Sequence, residues 1–322
     1  MDTSTPAQAR IRDELLAWDE ERPLVDPELA PTLRAELEAG ARSVLEEHGL
    51  LDGLARGDDR YNETLWISKS RLDRVVCDGL YRAELERPFE YNAAIAVGTL
   101  SHRAIELDHA TRRARAPEQL VDDVWHEIAT RPSSDRLGVF INGLDEVADA
   151  SLRQAVEQLL TEHRDVWPPL PSWLHVRMEQ STRVELLDGR VVLLGTPDIT
   201  LGRVRDDRAR MLLVDFKTGM RRPEQERQEL RFYALLLTLK HGQPPFRWAV
   251  HYVAEGAWDA EDFSEDRLRT AVRRTIDGID QAARLSDPDA PERLRAGRWC
   301  RFCPRRDGCP EYLSQGDGTV GP

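Results

Sequence analysis

The chain has 322 residues, 40% of them hydrophobic and 32% charged, with a formal net charge of −13. That length allows one large domain or two modest ones with sizeable cores, in a globular composition. No apolar run approaches the roughly 20 residues that span a bilayer, and the opening MDTSTPAQARIRDELL has no signal-peptide apolar stretch, so a soluble cytoplasmic protein with no membrane partner is expected.

Residues 1–60 are polar and helical in period, as in LRAELEAGARSVLEEHGL, and carry no evident chemistry. Residues 66–87 (WISKSRLDRVVCDGLYRAELER) read as a helix opened by a serine cap, with Leu72, Val75 and Val76 on one face. A second helix is expected over 93–113, containing GTLSHRAIE, and helical patterning continues over 115–165 until the proline-rich WPPLPSW at 167–173. The period then changes to two. Residues 176–186, 190–202 and 210–217 read as strands, joined by a strong turn signal at Asp188-Gly189 and a weaker one at Asp206-Asp207. A helix over 224–241, a strand over 247–253, a helix over 264–285 and a cysteine-bearing segment complete the chain. The core order of helix, three-strand meander, helix and strand predicts an α/β domain around a mixed sheet.

Two features carry chemistry. The first is VDFKTG at 214–219, an apolar strand ending in Asp215 and Lys217, in a chain whose only lysines are Lys69, Lys217 and Lys240. Two-residue turns at 188–189 and 206–207 would set Glu179 opposite Asp198, and Asp198 opposite Asp215. Strand alternation puts Lys217 on the same face as Asp215. Opposed like charges repel, so such a row calls for Lys217 plus a divalent ion on oxygen ligands, magnesium or manganese. Pro197 predicts a bulge or an edge in the middle strand, and a bulge would shift the register by one. Read singly, Glu179 and Asp215 are exposed strand-end charges with Lys217 paired to one of them. The second feature is Cys77 with Cys300-x2-Cys303-x5-Cys309. Four thiolates suit tetrahedral zinc or an iron–sulfur cluster, and spacing alone does not separate the two.

Gly195-Thr-Pro-Asp198 followed by Asp215-Phe-Lys217-Thr-Gly resembles the core of the PD-(D/E)XK nuclease superfamily, most closely its RecB-like branch, which includes CRISPR-associated and AddB-type iron–sulfur nucleases. Gly98-Thr-Leu-Ser-His102 looks like that branch's Gly-x-x-x-His motif. Glu229-Leu-Arg-Phe-Tyr233 looks like its Gln-x-x-x-Tyr motif, with glutamate where glutamine is usual and Gln228 one residue early. The resemblance covers roughly 66–313. It implies a restriction-endonuclease-like core with helical additions, a helical extension over 1–65, an insertion near 115–165, a cluster segment at 298–313 and a tail at 314–322. It implies that His102, Asp198, Asp215 and the Phe216 carbonyl hold the metal, that Lys217 acts at the water or the phosphate, and that Glu179 is a further acidic position. Tyr233, Gln228 and Glu229 become substrate contacts. Cys77, Cys300, Cys303 and Cys309 become ligands of a 4Fe–4S cluster, with zinc as the alternative. The implied activity is a Mg/Mn-dependent deoxyribonuclease, an exonuclease serving repair, recombination, phage replication or CRISPR adaptation, with DNA and a helicase or recombination/CRISPR protein as partners. The second reading is a cluster-bearing DNA-binding scaffold that no longer cuts.

Net acidity argues against indiscriminate polyanion binding, yet arginines gather at 203–210, 221–231, 267–274 and 293–306. Around the last cysteines, Trp299 and Phe302 interleave with Arg298, Arg301, Arg305 and Arg306. This suits either a single-strand track or aromatics packed on the cluster. The other seven histidines are assigned no role.

Overall fold

A computed structural model describes residues 4–17, 21–51, 64–87 and 89–314. Residues 52–63 of the expected N-terminal extension and 315–322 of the expected tail lie outside the described residues. The elements in chain order are α1 (Pro6–Arg10, continuing as a wider turn over Ile11–Leu16), α2 (Leu29–Glu47), β1 (Leu65–Ser68), α3 (Lys69–Leu72), α4 (Asp78–Glu86) and α5 (Ala93–Ala110). Next come α6 (Pro117–Ala129), α7 (Arg136–Asn142), α8 (Glu146–Val166), β2 (Arg177–Met178), β3 (Thr182–Leu186), β4 (Val191–Gly195), β5 (Ile199–Leu201) and β6 (Met211–Lys217). The chain continues through α9 (Pro223–His241), β7 (Pro245–Tyr252), β8 (Ala257–Asp262), α10 (Glu265–Arg284) and α11 (Pro310–Ser314).

The meander is present, but it breaks in the middle and feeds two sheets, ordered β1-β4-β3 and β2-β5-β6-β7-β8. The break falls at 179–181 on one arm and at 196–198 on the other. Pro197 has no N–H to give the ladder, and Glu179 sits at φ 47°. The expected one-residue shift does not occur. Met178 pairs with Ile199 and Thr182 with Gly195, the same register on both sides of the break. Asp188 and Gly189 both take positive φ, as the turn signal requires. The second connection is longer than two residues, running over 202–210, yet Ile199 still faces Val214, the register that aligns Asp198 with Asp215.

One expectation fails locally, and one strand was not foreseen. The single helix over 66–87 is a strand, a short helix and a second helix. Ser68 does cap, accepting from the Arg71 amide at 3.4 Å, but Leu65 and Ile67 alternate inward on β1, which lies parallel to β4. The edge strand β8, half-exposed and charged, gave no apolar signal. Among the helices, α5 opens at Asn92, which accepts from the Ile95 amide at 3.0 Å, and α9 opens with Pro223 in its first turn.

The core is continuous. Ile11, Leu15, Leu33 and Leu37 from the first 51 residues join the buried set contributed by β6, α9, β7 and α10. The C-terminal end of β4 lies directly against α9. A Cβ on Gly195 would stand 2.6 Å from Tyr233 Cε1 and 2.7 Å from Leu236 Cδ1. Gly195→Ala is therefore expected to destabilise by about 1–3 kcal/mol through overpacking, read as a lower urea midpoint with unchanged slope.

Strand alternation turns Phe216 away from Asp215 and Lys217, into a buried ring cluster with His163, Trp167 and His251 at centroid distances of 5.0, 5.2 and 6.0 Å. Burial lowers His251 to about 3. Burial, with Arg113 adding and Asp108 opposing, lowers His109 to about 4. These rings are neutral when folded, whereas the unfolded chain takes up protons below about pH 6.5. Their contribution to stability is thus complete above that pH and is lost as pH falls toward 4 and then 3, by at most roughly 1.4 kcal/mol per histidine per pH unit. His251→Phe should flatten part of the acid limb in urea titrations between pH 7 and 4.5.

Candidate active site

The break in the meander lets chemistry collect at one point. The Glu179 amide donates to the Asp198 carbonyl at 2.9 Å, holding the two arms together where the ladder is interrupted. Asp198, almost wholly buried, accepts from the Phe216 amide at 2.6 Å through Oδ2. Its other oxygen lies 3.3 Å from His102 Nδ1, and Glu179 Oε1 lies 3.5 Å from the same nitrogen. Among the described residues, His102, Glu179 and Asp198 form the group whose ligand atoms lie within 4.8 Å of one another.

Electrostatics explain the arrangement. Burial works against a charged His102, but Asp198, Glu179 and Asp215 more than reverse it and raise the imidazole well above its ordinary value. Burial pushes the Glu179 carboxyl up, and Asp198 adds to this while His102 opposes it. Burial also disfavours the Asp215 carboxylate, but Lys217 and Lys69 outweigh it and hold the group below the usual range. An imidazole nitrogen with carboxylate oxygens from converging backbone is a donor set that fits a divalent ion.

Asp215 belongs to the neighbouring half of the cluster, built on cations. Lys217 Nζ lies 2.7 Å from Asp215 Oδ2 and 3.0 Å from Glu229 Oε2. Lys69 Nζ approaches the same Glu229 oxygen at 3.4 Å, and Gln225 Nε2 reaches the other oxygen at 3.2 Å. The row of Glu179, Asp198 and Asp215 thus assembles with Lys217 beside it, and Glu229 joins from α9. Tyr233 is buried under Lys69, whose ammonium sits 5.5 Å from the ring centroid. Gln228 does not join. Its amide donates to Glu224 at 2.8 Å on another face of α9, beside Leu72 and Arg274. Sequence reasoning missed Lys69 as a site residue because the stretch read as a helix. Its scarcity was the available signal, since two of the three lysines meet here. A cavity of ≈380 Å³ opens on His102 and Glu179, walled by Ile128, Arg131 and Leu137 of the helical stretch after α5.

The four cysteines also meet. They line one cavity of ≈140 Å³ with Leu80, Leu294 and Trp299. Burial raises the Cys303 thiol; an Arg305 backbone N–H opposes this, and Cys77, Cys300 and Cys309 raise it further. The Gly297 amide donates to Cys300 Sγ at 3.3 Å. Among the described residues, no three of these sulfurs fall within 4.8 Å of one another. Of the interleaved aromatics, Trp299 packs on this cavity, whereas Phe302 is 60% exposed under the guanidiniums of Arg222 and Arg301.

A helix, paired strands ending in carboxylates, an Asp-x-Lys and a crossover helix together describe a nuclease fold of the kind that uses divalent metals. Residues 77–310 match the family model described as the PD-(D/E)XK nuclease superfamily, and the chain belongs to that superfamily: it is a metal-dependent nuclease acting on DNA. A solved structure titled "Crystal structure of SSO0001" aligns over 86% of this chain and 96% of its own, with 17% identity and a TM-score of 0.34, a likeness that carries no weight for fold or function. No curated protein matches the chain. Among the described residues no helix is long and apolar enough to cross a membrane.

Proposed function

We propose that the chain is a RecB-like, iron–sulfur exonuclease that hydrolyses DNA at ends or in single strands, in repair, recombination, phage replication or CRISPR adaptation. A helicase or recombination/CRISPR partner would deliver its substrate in the cytoplasm. The observation that carries the catalytic reading is the convergence of His102, Glu179 and Asp198 within one ligand shell, beside Asp215 and Lys217 at 2.7 Å. His102, Asp198, Asp215 and the Phe216 carbonyl would hold the ion, with Glu179 adjoining. When bound, a divalent ion acidifies water and draws charge from phosphate oxygens. Asp198 is oriented for this by the Phe216 amide, and His102 is presented from α5 by its capped N-terminus. Lys217 keeps its positive charge, because Asp215 and Glu229 stabilise it despite burial, and it would stand beside the scissile phosphate. Tyr233 and Glu229 line the same place on α9.

For the cysteines we propose a 4Fe–4S cluster. A single zinc would draw its thiolates to about 3.8 Å apart, from Zn–S bonds of about 2.3 Å in a tetrahedron. The cavity that all four cysteines share favours a larger group, and amide N–H groups reach two of the sulfurs. The nuclease unit is taken as 66–313, with 1–65 as a helical extension, 115–165 as an insertion and 298–313 as the cluster segment.

The deciding experiment incubates end-labelled single- and double-stranded DNA with magnesium or manganese. Metal-dependent shortening from the ends supports the proposal. Internal cuts alone would remove the exonuclease assignment, and tight binding without cutting would favour the scaffold reading. Iron content and a broad absorbance near 400 nm of protein purified without oxygen test the cluster.

A further inference from the structure

Two lysines on one glutamate oxygen is an unusual use of charge in this chain. Glu229 is buried, and when ionised it is an acceptor only, so it can offer a DNA phosphate nothing but repulsion. Its two oxygens are fully engaged, by Lys217 at 3.0 Å and Lys69 at 3.4 Å on one and by Gln225 at 3.2 Å on the other. The lysines differ in what remains. Lys217 spends two of its three N–H groups, on Asp215 and Glu229. Among the described residues Lys69 makes one side-chain hydrogen bond, at 3.4 Å, and its side chain is 34% exposed against 22% for Lys217. It stands at the first turn of α3, where the Ser68 cap fixes the backbone, and its ammonium overlies the Tyr233 ring.

A purely structural ion pair is a poor explanation. Pairs of this kind contribute little net stability, and Glu229 already has Lys217. A second ammonium that keeps free donors at the mouth of a phosphate-handling cluster fits a second phosphate better.

We propose that Lys69 is a substrate-binding residue that contacts a DNA phosphate next to the scissile one, and that Glu229 is a positioning residue that holds Lys69 and Lys217 as a preorganised pair. The proposal rests on the nuclease reading of this site and names the donor that the α9 motif, with its glutamate, does not supply. Lys69 would bind one non-bridging oxygen while Lys217 serves the reacting group. The repulsion between two ammoniums is the reason a carboxylate, rather than an amide, stands at 229.

The test measures binding of a fluorescent single-stranded oligonucleotide to the full-length chain without divalent ions, over a range of salt. Each phosphate neutralised contributes about −0.7 to the log–log salt slope for single strands. Lys69→Met keeps the apolar stem over Tyr233, and should weaken binding about five- to tenfold and make the slope shallower by about 0.7. Lys69→Arg should restore the slope. In the cutting assay Lys69→Met should raise KM with kcat within about threefold. An unchanged slope, or weaker binding at an unchanged slope, overturns the proposal. Should Lys69→Met fold poorly, Lys69→Gln, which also removes the charge while Lys217 and Gln225 keep Glu229 paired, is read the same way. If wild type binds with the Lys69-dependent slope but never cuts, the nuclease reading fails and the contact stands. If it cuts and the slope ignores Lys69, the contact alone fails.

Discussion

Lys217→Met is expected to abolish measurable cutting, lowering kcat on the order of 10²–10³-fold or more, as removal of one preorganised charge donor does elsewhere. The ammonium is held between Asp215 and Glu229, so it is in place before charge develops on the phosphate. Lys69 does not substitute, because it is bonded to Glu229 and reaches the cluster from α3. Lys217→Arg is also expected to fail, since a planar fork does not occupy a point-charge site between two carboxylates 2.7 and 3.0 Å away. Breaking a buried pair costs about 3–5 kcal/mol, so part of the effect is on the fold. Single-turnover cutting and a urea melt on the same preparation separate the two. A folded Lys217→Met protein that cuts at near wild-type rate would remove Lys217 from the chemistry.

Changing all four cysteines to alanine is expected to give the largest loss of stability of any substitution outside the main core. Cys77 and Cys300 are 223 positions apart and share one cavity, so a group bound to both closes a very long loop. The loop-entropy relation for cross-links gives about 5 kcal/mol for closure on that scale. Without it the tail from about 286 to 314 is left with polar tethers. These include Arg82 on Glu292 at 3.3 Å and the Arg293 amide donating to Asp78 at 2.6 Å. Cys77→Ala alone should release most of the iron. Limited proteolysis should then clip the C-terminal segment first, and the melting temperature should fall. A four-alanine variant that melts with the wild type would leave the cluster no structural role.

Much of the site was legible before any coordinates. Two turn signals predicted the register that brings Glu179, Asp198 and Asp215 into line, and it holds because both connections are symmetric about the expected turn points, even the longer one. The Asp-x-Lys period put Lys217 beside Asp215 and sent Phe216 to the other face. The cysteine spacing predicted a shared site with a distant fourth partner. Less legible was WISK. Four residues of strand followed by one turn of helix have no periodic window long enough to read. Lys69 was therefore read as part of one long helix rather than at the junction of β1 and α3, although its rarity marked it. The half-exposed edge strand β8 carries charge where a buried strand would carry valine, and it left no trace.

Sequence by itself determined what is local or periodic: the helix caps, the hairpin register, the alternation that pairs Asp215 with Lys217, and a donor inventory fit for a metal. Only the tertiary structure decided what depends on long-range convergence. It bent the meander at Glu179 and Pro197 into two sheets, brought His102 from α5 to Asp198, and brought Lys69 to an oxygen of Glu229, 160 residues away. No local pattern encodes such meetings, because they follow from how whole elements pack around a shared core. The same packing decides which charges end up buried together and must compensate one another.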